Sequence, residues 1–134
     1  MKKLLLMALG LVAFHVNAHK SETLSVDRVV PQGVELAFPN EDRQQPKIGD
    51  FDLEHYVLMS NDKGERWAVL TLTNLSKGLR ILDHQHLMAL FADGSRSNPK
   101  AEPYRFRGQE TQTITVSFGV NKFPILSVYT RNSQ

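Results

Sequence analysis

His84 and His86, one residue apart in the run Asp83-His84-Gln85-His86, come nearest in this sequence to a ligand set. In an extended strand both imidazoles fall on one face, about 6.6 Å apart along the chain by the usual rise per residue. A third nitrogen-rich group lies upstream. Val16-Asn17-Ala18 has the small and aliphatic residues that a signal peptidase reads, so cleavage after Ala18 would make His19 the first mature residue. A terminal histidine offers its α-amino nitrogen and ring Nδ1 to one ion as a chelate. The amine, with an ordinary pKa of about 7.7–8.0, gives up its proton to copper near neutral pH. A square-planar, nitrogen-rich set suits Cu(II). His19, His84 and His86 are therefore the candidate metal ligands. A plainer reading stands beside this one: a frayed terminus that starts with histidine, and two histidines on the wet face of a strand approaching a turn.

Other chemistries find little to work with. Cysteine is absent, so there is no thiol nucleophile, no lipid-bearing cysteine and no disulfide. No Gly-x-Ser-x-Gly elbow occurs. Asp50 with Asp52, and Glu41 with Asp42, lie in polar surroundings, whereas acid catalysis needs a carboxyl raised by an apolar pocket or a close like charge. The run Asp50-Phe51-Asp52-Leu53-Glu54 alternates acids but lacks the glycine and spacing of a calcium loop. His55 reads as a surface or half-buried strand residue; Trp67 covers one end of the core or sits on a recognition face, and core packing is favoured, since tryptophan is mostly buried. The expectation is a non-enzymatic chain with no cofactor other than the copper of the alternative reading.

The elements that must position these residues begin with a leader. Lys2 and Lys3 precede eleven uncharged residues, Leu4 to Phe14, well short of the roughly 20 that span a bilayer as a helix. Residues 1–18 thus read as a cleaved signal peptide. The mature chain is expected in the periplasm or secreted beyond it, with no membrane insertion after cleavage. Removing 18 of 134 residues leaves 116, enough for one hydrophobic core, and residues 19–134 read as one domain. Sixteen basic residues lose Lys2 and Lys3, so 14 remain against 14 acids, a formal balance of zero. Such a chain has no general field for nucleic acid or anionic lipid. The densest basic cluster, Arg96, Lys100, Arg105 and Arg107, reads as a solvated loop and edge strand.

Strand signals fill the mature chain. Leu24, Val26 and Arg28 alternate with Ser25, Asp27 and Val29; Pro31-Gln32-Gly33 turns; Val34, Leu36 and Phe38 resume the period of two. Residues 39–50 form an exposed polar loop. Phe51 to Met59 is a strand, Asn61 to Gly64 a hairpin turn. The next strand is the clearest: Ala68, Leu70 and Leu72 on one face, Val69, Thr71 and Thr73 on the other. After a turn at Asn74 to Gly78, the segment Leu79 to Ala92 offers a helical stripe of Leu87, Met88, Leu90 and Phe91, but Leu87, Ala89 and Phe91 also alternate, and it reads as strand closed by Asp93-Gly94. Pro99 and Pro103 interrupt pairing. Tyr104 to Phe106, Thr111 to Phe118 and Phe123 to Thr130 complete the set. Seven or eight short strands at this spacing predict an all-β, antiparallel two-sheet sandwich of immunoglobulin-like type, with a small barrel as the alternative.

Two resemblances rest on particular residues. Ala68-Val69-Leu70-Thr71-Leu72-Thr73-Asn74, Phe91-Ala92-Asp93-Gly94, and Gly108-Gln109-Glu110-Thr111 leading into Thr113 to Gly119 resemble small secreted bacterial immunoglobulin-like sandwich domains, many of unknown function, over about residues 66–130. That resemblance implies a fold and carries no catalytic residue. A mature amino-terminal His19 is similar to the terminal-histidine copper sites of periplasmic copper-resistance proteins. Those carry an aspartate two residues before a second histidine, whereas here His84 directly follows Asp83 and His86 lies three residues on. The leading expectation is an exported binding or accessory module whose partner is another exported protein. Its candidate contact edges are the strands near Tyr104 and Phe106 and near Tyr129.

Overall fold

The clear alternation around residue 70 becomes the middle of a sheet. In the computed structural model, which describes residues 22–28, 30 and 44–133, strand β3 (Glu65–Asn74) buries Ala68, Leu70 and Leu72 completely. It runs antiparallel to β2 (Phe51–Ser60) on one side and to β8 (Thr111–Val120) on the other, and β1 (Ser25–Val26) adds to the far end of β2. The β2–β3 hairpin closes as its residues dictate: the Gly64 N–H donates to the Asn61 carbonyl at 3.0 Å, and Gly64 takes φ +79°, which glycine adopts without strain. The expected leader over 1–18, His19, the expected turn at Pro31-Gln32-Gly33 and the expected strand Val34 to Phe38 fall outside the described residues.

The remaining strands are shorter. β4 (Arg80–Leu82) pairs with β7 (Tyr104–Phe106), and β5 (Met88–Phe91) lies between β6 (Arg96–Ser97) and β9 (Ile125–Tyr129), all antiparallel. Helix among the described residues amounts to one short 3-10 turn. The fold is all-β with antiparallel sheets, as the strand signals predict.

One apolar cluster joins Leu58, Leu70, Leu72 and Val116 of the four-stranded sheet to Leu82, Phe91, Phe106 and Val128 of the shorter strands. Phe51 meets Phe106 edge to face at 5.2 Å. A smaller cluster, Met88, Leu90 and Tyr129, occupies the other face of β5, so all four residues of that strand are buried. A strand covered on both faces has no polar alternation. That is why its sequence shows helical and strand periodicity together.

Three expectations are corrected. The segment Leu79 to Ala92 is not one strand: β4 ends at Leu82, His84–His86 forms the 3-10 turn, and β5 starts at Met88. Asp83 causes the break, since its side chain accepts from the Gln85 N–H at 2.9 Å and caps the turn. Trp67 is not core: it is half-buried on the face of β3 turned away from the main cluster. Within the polar loop, Pro46 is fully buried, and Lys47 N–H donates to the Gln85 carbonyl at 2.8 Å, so the loop's end is anchored rather than free.

Candidate functional site

The outward face of the four-stranded sheet is built by register. Side chains opposite one another on neighbouring strands share a face, and the pairing sets Met59, Trp67 and Ser117 in one row. Val57, Val69 and Thr115 form the second row, His55, Thr71 and Thr113 the third, and Asp52, Thr73 and Thr111 the fourth. Val26 extends the first row beside Met59, and Lys100, bridged to Ser117, extends it at the opposite end.

The two halves of this face differ in chemistry. Val26 is 68% exposed and Val57 42%, while Met59, Trp67 and Val69 are half-buried, so the first two rows present contiguous apolar surface. The lower rows are hydroxyl-rich. Thr71 and Thr113 lie 3.0 Å apart at their Oγ1 atoms, Thr73 and Thr111 2.7 Å apart, and the Thr73 hydroxyl donates to Glu54. Glu54 occupies a bulge in β2, which adds an acid beside Asp52 at that corner. Lys100 holds the diagonally opposite corner. Its Nζ lies 3.5 Å from where a Cβ would stand on Gly119, a residue of positive φ (+75°) next to the bulge that pairs Arg66 with Gly119 and Trp67 with Ser117. Charge is thus confined to the rim: Lys100 ends the first row, and the first three rows otherwise hold no lysine, arginine, aspartate or glutamate.

The histidines expected to act together have separate environments. His19 lies outside the described residues. His84 is exposed, whereas His86 is 7% exposed, because successive residues of a 3-10 turn point in different directions rather than sharing a strand face. His86 Nδ1 accepts the Asp83 backbone N–H at 3.0 Å, completing a capping box in which side chain and backbone satisfy each other. The accepting nitrogen makes the neutral ring one that carries its proton on Nε2. The ring packs edge-on against Phe51 at 5.1 Å and lies against Gly49, where a Cβ would come within 2.7 Å of His86 Cδ2.

Burial pushes the His86 pKa down, assisted by Lys47, against the opposing pull of Asp83. Burial alone would raise Asp83, but the Lys47 ammonium at 2.9 Å, the Gln85 N–H and His86 hold it below the ordinary carboxylate value. Capping accounts for Asp83 and His86 without a metal. Among the described residues, no group of three or more histidine, cysteine, aspartate or glutamate side chains stands close enough to hold an ion.

No family model matches the chain, and neither a curated protein nor a solved structure matches it with significance.

The expected contact strands both stand at sheet edges, β7 beside β4 alone and β9 beside β5 alone, with some of their groups already engaged. The Arg105 carbonyl of β7 accepts the Gln112 side chain at 2.6 Å, and Tyr129 of β9 is buried, its hydroxyl bonded to Arg96. Arg96, read as a solvated cation, also lies over the Tyr129 ring at 5.4 Å. Favouring the core for Trp67 over a recognition face leaves the outward face out of the sequence reading. Its signal was nevertheless present: Trp67-Ala68-Val69-Leu70 is apolar at both alternate sets, the mark of a strand with two apolar faces.

Proposed function

We infer that this chain is an exported, periplasmic binding or accessory module without catalytic activity, folded as an immunoglobulin-like sandwich of two antiparallel sheets built on seven or eight principal strands. Support for the sandwich comes from the shared cluster, in which inward side chains of β2, β3 and β8 meet those of β4, β5, β7 and β9. Support for binding comes from one observation: exposed Val26 and Val57 with half-buried Met59, Trp67 and Val69 form a contiguous apolar surface with Lys100, Glu54 and Asp52 at its rim. An apolar, aromatic- and methionine-bearing centre within a polar rim is the composition of protein contact sites.

A non-catalytic reading is supported by how the shifted titrations arise. His86 and Asp83 serve a cap and an ion pair, Glu22 bonds Lys63, and Asp93 and Glu110 accept local donors from Ser95 and Arg107. Asp93 and Glu110 are satisfied within their own turns, and Asp83 and Glu22 also reach across the chain to Lys47 and Lys63.

The test is affinity capture from periplasmic extract with the wild-type chain and Val69→Lys as paired baits. A specific partner recovered by the first and lost with the second is the expected result. Equal recovery by both baits would sink the assignment to this face. Intact-mass analysis of the exported protein checks the compartment, with a chain starting at His19 expected.

A further inference from the structure

We propose that the outward face of β1, β2, β3 and β8 binds the same face of a second copy of this chain. The inference rests on the binding reading above and adds the identity of the occupant. Three observations carry it.

The first is charge placement. Lys100 stands at one end of the first row, beyond β8, and Glu54 with Asp52 stands at the fourth row, on β2. These are diagonal corners of one patch. A two-fold axis lying in the contact plane, along the other diagonal from Val26 to Thr111, exchanges them. Lys100 of each copy then meets the Glu54 and Asp52 corner of the other, and the same pairing occurs twice, as an isologous contact requires.

The second is what the axis leaves at the centre. Val69 and Thr71 lie there, with Trp67 and Val57 close by, so uncharged residues meet uncharged residues. Reflection across that diagonal turns the strands steeply against their counterparts, which corresponds to the orthogonal class of sheet packing.

The third is area. Six residues separate Trp67 from Thr73, about 20 Å, and four inter-strand gaps separate Val26 from Lys100, about 19 Å. The patch covers roughly 400 Å² in plan, more when side-chain relief is counted, against about 800 Å² per partner in a standard interface. The contact belongs with the small, reversible ones, and its dissociation constant is expected at about 10–100 μM.

Sedimentation of the full chain as recovered from expressing cells decides the matter. At low salt the mass is expected to rise from one chain toward two as concentration passes through that range. Glu54→Lys and Lys100→Glu should each weaken association about five- to tenfold, because each substitution sets like charges together twice. The double variant should return to within about twofold of the wild type. Val69→Lys should leave a single chain at every concentration; should it disturb folding, the charge exchange still decides. A wild-type chain that stays single throughout overturns the proposal, and so does a double variant as weak as its two singles combined. A single chain that still captures another protein through Val69 overturns only the second copy as occupant, whereas one that captures nothing overturns both readings.

Discussion

The two faces of β3 are made by alternate residues of one ten-residue strand, and they have opposite fates. Ala68, Leu70 and Leu72 are sealed against the shorter strands, while Trp67, Val69, Thr71 and Thr73 remain half-buried on the outward side. The backbone is shared, so the difference lies in what covers each face. The inner face gains the free energy of complete burial within the fold. The outer face keeps much of that gain unrealised, available to whatever covers it.

The sharpest way to break this contrast is a truncation on the inner face. Leu70→Ala should cost about 2–5 kcal/mol and lower the urea midpoint, because a fully buried leucine leaves a cavity between two layers. A loss of only a few tenths would mean that the inner face is not the core. Asn74, at the end of the same strand, comes next. Its side chain donates to the Gly78 and Arg107 carbonyls and accepts the Ser76 N–H while wholly buried. Asn74→Ala should cost about 1–3 kcal/mol through groups left unpaired.

A smaller effect follows pH. His86 titrates lower in the folded chain than its ordinary 6.5, so the unfolded chain binds the proton more readily. Its contribution is therefore present above that value and is lost as pH falls below it, through the folded pKa. Urea midpoints should decline as pH falls from 7 toward 5, and His86→Gln should flatten that slope. A wild-type slope identical to the variant's would show that the capping box does not sense the proton. Smallest in stability is Val69→Lys, expected within about 0.5 kcal/mol of wild type while removing association. A large loss of stability there would make the two faces equivalent and contradict the contrast.

Much of the fold was legible because period-two alternation and turn chemistry act locally. The long strands β2, β3 and β8 and the Gly64 hairpin follow directly from them. The break at Asp83 was less legible, because a capping box competes with extended backbone through hydrogen bonds that strand periodicity does not register. The pairing of His84 with His86 failed for that reason, since it assumed the strand. The outward face was illegible for a different one. Its rows assemble residues from four strands and a bridge, from Val26 to Ser117, and their adjacency depends on bulges near Glu54 and Phe118 that fix register over distance.

Trp67 is the sole tryptophan of the chain and stands in the first row of the face, so its fluorescence reports on the claim without a label. Iodide should quench the half-buried Trp67 in part in dilute protein, and less as concentration rises through the micromolar range, with emission moving to shorter wavelength as water leaves the ring. Quenching that is blocked in the dilute chain, or that stays unchanged from the most dilute to the most concentrated sample, would contradict an outward contact face.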